Sequence, residues 1–274
     1  MDTEEKSIKV GKSGIKDRKK VEVQGLLITP RKKIETLILV QTGWLSEYFE
    51  YEEQFGQFLG CEYHVYITNF RKNGAFEAER SLDDFAQIDK SIRKELKPEY
   101  VFYIGHGFGM NVVVGAMNKH NLTPDGLYGI CACPSYADTT THDSNPEHES
   151  FAQRVIDTVS GLYPTHFLPL GLGPMELSLK DYYISEPVKF AIGGNDEVLN
   201  TNDPAVAQRF ISYFSQYPLS SSQIFSGRNH GFNCDNNLTP FNRDESMELI
   251  LDIRKFITSV LSSEKTKMTS AGKR

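Results

Sequence analysis

"VFYIGHGFGMNVVVGAM", residues 101–117, reads as an apolar strand, a tight glycine turn and then a helix. Its centre, "GHGFG" (105–109), has the frame of the G-x-S-x-G nucleophile elbow. Such an elbow forces its central residue into a strained backbone conformation and brings a helix hard against the preceding strand, so both flanking positions must be small. Gly105 and Gly109 meet that requirement, with His106 and Phe108 between them and the centre. The centre itself is Gly107, where an attacking side chain belongs. Glycine-rich strand-to-helix turns also occur in dinucleotide-binding folds. "GHGFG" lacks the G-x-G-x-x-G phosphate spacing, however, and follows the fourth strand of the series rather than the first.

Working outward, short apolar runs alternate with amphipathic segments, which predicts an α/β protein with a mostly parallel sheet. The expected strands are 21–29, 36–41, 63–68, 100–105, 127–133, 188–194 and 222–227. "TLILV", "VFYI" and "VKFAI" are nearly continuous apolar runs, as strands covered on both faces require. Helices are expected over 47–59, 81–96, 108–119, 203–216 and 243–262, the second opened by a capping-box pattern at Ser81 and Asp84. Residues 137–186 break the alternation with a polar, proline-containing stretch, expected to be a small cap insertion after strand 6, the alternative being a long connection. The reading is one domain over 1–274, with a core of about 20–262 and a frayed tail over 263–274.

Composition narrows the function. The 274 residues include 39% hydrophobic and 24% charged residues, ordinary for a protein with a sizeable core. A net charge of −6 argues against nucleic acid or an anionic membrane as partner, since both are recognised through excess positive charge. The charged first twenty residues do not form a secretory signal, and no apolar run approaches the ~20 residues of a membrane span. Four cysteines with no C-x-x-C pair fit a reduced, cytoplasmic setting.

Two later segments carry chemistry. "VKFAIGGNDEVLN" ends a strand in a turn bearing Asp196, and "SQIFSGRNHGFN" ends the next in a loop bearing His230. The order is elbow, acid, histidine, each at the end of a successive strand. His230 could carry a proton near neutral pH while Asp196 fixes its tautomer and stabilises the imidazolium. After an early strand, Gly43 and Trp44 stand where a backbone N–H could meet a developing oxyanion. The Phe108 N–H, at a helix start, would be the second donor. His106 and Gly43 are the candidate substrate contacts.

On these residues the chain resembles the α/β-hydrolase superfamily from about residue 20 to 262. Within it, "HGFNCDNNLTPFNRDES" (230–246) and "GGNDEVLN" (193–200) are similar to the dienelactone hydrolase branch. The resemblance implies an α/β-hydrolase fold, a mostly parallel twisted sheet with helices on both faces. It also implies hydrolysis of a small ester, thioester or lactone without cofactor or metal. It seats Gly107 as nucleophile position, Asp196 as acid, His230 as base, and Trp44 and Phe108 as oxyanion donors. That branch uses a cysteine nucleophile, and residue 107 is neither cysteine nor serine.

Glycine cannot form an acyl-enzyme, so covalent turnover is expected to be absent or weak. Three explanations stand open: a noncatalytic relative that binds a ligand or partner, a serine deliberately replaced, or another nucleophile such as Cys133. His142, His148 and His166 lie in the expected cap without metal-ligand spacing, and Arg71 and Arg80 could reach the site mouth or form surface ion pairs.

Overall fold

The computed structural model describes residues 2–10, 21–43, 52–69, 78–134, 177–196, 199, 201–232 and 243–271. One eight-stranded sheet organises them: β1 (Asp2–Val10), β2 (Val21–Thr29), β3 (Thr36–Gln41), β4 (His64–Thr68), β5 (Tyr100–His106), β6 (Gly126–Ile130), β7 (Val188–Gly193) and β8 (Ser220–Phe225). The spatial order is β1-β2-β4-β3-β5-β6-β7-β8. β1 pairs antiparallel with β2 and β2 antiparallel with β4, and every later pair is parallel. The fully buried strands β3 and β4 match the continuous apolar runs that expect cover on both faces.

Among the described residues four α-helices connect the sheet: α1 (Ala78–Leu96), α2 (Phe108–His120), α3 (Pro204–Phe214) and α4 (Arg243–Ala271), with a π-helical segment at Glu52–Leu59. Alternation along β5 shows where they lie. Tyr103 points to α1, donating its hydroxyl to Asp89 at 2.7 Å and meeting Phe85 edge-on. Its neighbour Phe102 meets Phe256 of α4 edge-on, and Tyr128, on the same face of β6, donates to Asp252 of α4 at 2.6 Å. Successive strand residues face opposite sides, so α1 and α4 cover opposite faces of the sheet. Residues 108–117 of α2 are all buried, which is why that helix has no polar stripe.

The seven expected strands form. The run expected over 127–133 stops at Ile130 because Cys131 takes a left-handed backbone, φ 47°. β1 lies before the expected start of the core. Its sequence DTEEKSIKV buries only Ile8 and Val10, so an exposed edge strand carried no apolar run to reveal it. The Lys6 ammonium reaches the Glu95 carboxylate and ties that edge to α1. α1 begins at Ala78, which places Ser81 inside the helix and not at its cap. α3 has the expected start, with the Asp203 side chain accepting from the Ala205 N–H at 2.8 Å and Pro204 in the first turn. α4 continues to Ala271, nine residues into the expected tail, because "SSEKTKMTSA" holds no glycine or proline to stop it. The expected cap falls mostly on 135–176, outside the described residues, as do Arg71, His142, His148, His166 and residues 47–51 of the first expected helix.

Candidate active site

Parallel strands β5 to β8 end on one edge of the sheet, and each hands a polar group to it. The turn after β5 is as tight as its glycines imply. A Cβ on Gly105 would sit 2.4 Å from the Met110 Cα, and one on Gly109 would sit 2.5 Å from the Thr42 carbonyl oxygen. Both contacts are with backbone, so neither position accepts a side chain without moving the helix or β3. Between them Gly107 has φ 50° and ψ −123°, a region that a residue with a Cβ enters only under strain. The Gly107 N–H donates to the Ile130 carbonyl at 2.7 Å, fixing the turn to β6. Phe108 is the first residue of α2 and is buried. Gly43 is buried just beyond β3, while Trp44 lies outside the described residues.

Asp196 and His230, the expected acid and base, are brought together. His230 Nδ1 lies 2.7 Å from Asp196 Oδ2, and Asp196 is fully buried while a quarter of the His230 side chain is exposed. Burial alone would raise the Asp196 carboxyl. The positive charge and hydrogen bond of His230, the Leu199 N–H and the Cys131 thiol outweigh it and hold the group below its ordinary value. The Leu199 bond, 2.9 Å to Oδ1, closes the turn on its own carboxylate. The two loops are also stapled through their backbones. Gly194 donates to Phe225 and Asn195 to Arg228, each at 2.8 Å. A Cβ on Gly193 would meet the Arg228 and Asn229 carbonyls at 2.7 Å, so only glycine lets the His230 loop lie this close to β7.

His106, expected as a substrate contact, is 4% exposed, and its Nε2–H donates to the His230 backbone carbonyl at 2.8 Å. The two imidazole rings lie 5.2 Å apart at 37°. Burial, with the His230 charge second, pushes the His106 imidazole down to about 4, so it is neutral at physiological pH. Cys133 is buried, and its backbone carbonyl accepts from Asn111 Nδ2 at 3.3 Å. The thiol that does approach the dyad is Cys131, unmarked in the sequence reading. Its Sγ lies with the Asp196 and His230 donor atoms in a group spanning no more than 4.8 Å. The available signal was position: Cys131 follows the end of β6 as Asp196 and His230 follow the ends of β7 and β8.

This arrangement can hold a histidine in one tautomer, accept and return a proton through it, and present helix-start N–H groups to an anion. Among the described residues no helix is long and apolar enough to cross a membrane. No protein-family model matches the sequence, and no curated protein does. Solved structures do. The chain is similar to Est1E from Butyrivibrio proteoclasticus at 12% identity, covering 93% of this chain and 99% of that one, with a TM-score of 0.61. It is similar to the Pyrococcus furiosus esterase PF2001 at 14% identity, 93% and 91% coverage and a TM-score of 0.63. The thermophilic esterase from Thermogutta terrifontis gives 14%, 93%, 99% and 0.62. With these neighbours and the mostly parallel eight-stranded sheet, the chain has the α/β-hydrolase fold.

Proposed function

We propose that this chain is a hydrolase scaffold of the carboxylic ester, thioester or lactone type. It keeps an acid–base dyad of Asp196 and His230 and carries Gly107 in the nucleophile seat. The observation that carries the reading is the 2.7 Å Asp196–His230 bond, standing at the ends of β7 and β8 in the chain order elbow, acid, base. The esterase neighbours agree with that lineage, and a small ester-like molecule is the partner it implies.

With no side chain at residue 107, the chain forms no acyl-enzyme, and covalent turnover is absent. His230 can still activate a water for slow direct attack, with the Phe108 N–H, and the Trp44 N–H as the second donor the resemblance implies, polarising the carbonyl. Such residual rates run to roughly 10³–10⁴ over water when a triad nucleophile is lost. The dienelactone-hydrolase-like loop after His230 continues into residues 233–242, outside the described residues, so the acyl class rests on the neighbours' type alone. A second reading is favoured by the glycine itself: a noncatalytic member of the fold that binds a ligand or partner.

The test is Gly107→Ser against the unaltered protein on a panel of p-nitrophenyl esters and thioesters. Hydrolase lineage predicts a burst of nitrophenol in the serine variant, a turnover gain of ~10³ or more, and loss of both when His230→Gln is added. No turnover by either protein on any substrate sinks the hydrolase reading and leaves ligand binding.

A further inference from the structure

The dyad has a third member that proton relay does not need. Cys131, Asp196 and His230 each offer one donor atom, a sulfur, a carboxylate oxygen and an imidazole nitrogen, all within 4.8 Å of one another. We propose that these three side chains form a zinc-binding site. No motif spacing announces it, because the ligands come from the ends of β6, β7 and β8, at positions 131, 196 and 230.

Four features support it. The donor set is the mixed N/O/S set that zinc accepts, whereas magnesium and calcium call for oxygen alone. A thiolate and a carboxylate together carry the two negative charges that offset a divalent cation, and both residues are fully buried. The ligands are held from behind. The Leu199 N–H fixes Asp196 Oδ1, the Cys131 N–H donates to Ala191 at 2.8 Å, and His106 holds the His230 backbone. The three donors already lie within 4.8 Å of one another, with Asp196 Oδ2 and His230 Nδ1 at 2.7 Å, so modest side-chain rotations bring them to the ~3.5 Å between donors around a tetrahedral zinc.

The step balances simply. The Cys131 thiol loses its proton on binding. If Nδ1 of His230 is the ligand, the proton it now gives Asp196 moves to Nε2, so one proton leaves per zinc. The fourth position is left to water. Zinc so bound takes Asp196 and His230 out of proton transfer, which makes the cation an inhibitor of whatever the dyad does. The inference rests on the donor geometry alone and holds whether or not the chain hydrolyses esters.

The experiment is a zinc titration of the reduced, chelator-stripped protein against a chromophoric chelator, repeated with cobalt(II). The expected result is one zinc per chain at micromolar free metal, one proton released, and a thiolate-to-cobalt charge-transfer band in the near ultraviolet. Cys131→Ser should abolish the band and weaken zinc by ~10-fold or more, and His230→Gln should weaken it similarly. Absence of stoichiometric zinc, or of the cobalt band in the unaltered protein, overturns the proposal even if the variants fold poorly. So does Cys131→Ser binding zinc as tightly as its parent.

Discussion

His106 donates its Nε2 proton to the backbone carbonyl of His230 at 2.8 Å, so the residue beside the elbow's centre holds the loop that carries the proposed base. The bond runs from the end of β5 to the loop after β8, across two intervening strands of the sheet. The bond needs a proton on Nε2, and burial keeps the ring neutral, with that proton as its only one.

Acid should therefore loosen the fold well before the carboxylates titrate. Unfolded, His106 binds its proton below the ordinary 6.5, and folded only below about 4. Between those values the unfolded chain holds more protons, so stability falls as pH falls. The slope is about 1.4 kcal/mol per pH unit and the full loss about 3 kcal/mol. His64, also pushed down by burial, adds to the same window, and the lowered Asp196 carboxyl adds its loss below its ordinary 3.8. Urea unfolding of the parent and His106→Gln between pH 7 and 4.5 isolates the His106 share. The parent should lose more stability than the variant, and parallel pH profiles would refute the assignment.

Gly193→Ala should damage the site from outside it. The new Cβ meets two backbone carbonyls of the His230 loop at 2.7 Å, and neither can swing aside as a side chain would. A loss of ~1–3 kcal/mol is expected from overpacking. The variant should also shift the His230 imidazole resonances in an NMR spectrum, whereas an exposed change such as Ser221→Ala should not.

Much of this was legible because the signals were local. Strands covered on both faces must be continuously apolar, which is why β3 and β5 stand out in "TLILV" and "VFYI". Gly105 and Gly109 could be read because no other residue fits where a helix and a strand touch. Asp196 and His230 could be read because each sits at a strand end in a fixed chain order. β1 was invisible because an edge strand buries too little to need apolar residues. The roles of His106 and Cys131 were invisible for a different reason: each depends on a partner more than sixty residues away, His230 for one and Asp196 for the other. For Cys131 the place after β6 was a hint, but neither partner could be named until the sheet had brought the strand ends together.

Asp196→Asn tests the dyad without changing its shape. The amide still accepts from Leu199 but no longer carries the charge that fixes the His230 tautomer. In a Gly107→Ser background, turnover should fall by about 10⁴-fold, as loss of the acid does in triads generally, with little change in KM. A fall below tenfold would mean that Asp196 only shapes its turn.

The proposed nucleophile seat can be read through stability. Gly107 holds φ 50° and ψ −123°, so any Cβ there brings strain of about 1–3 kcal/mol that glycine lacks. Gly107→Ser and Gly107→Ala should both lower the unfolding free energy by that amount, since the cost belongs to the backbone and not to the hydroxyl. Only the serine variant should then react with a fluorophosphonate probe. Equal stability across glycine, alanine and serine would mean that the turn relaxes to ordinary angles once a Cβ is present. Serine would then no longer be presented as a nucleophile, and a failure to react would trace to geometry rather than to a missing base.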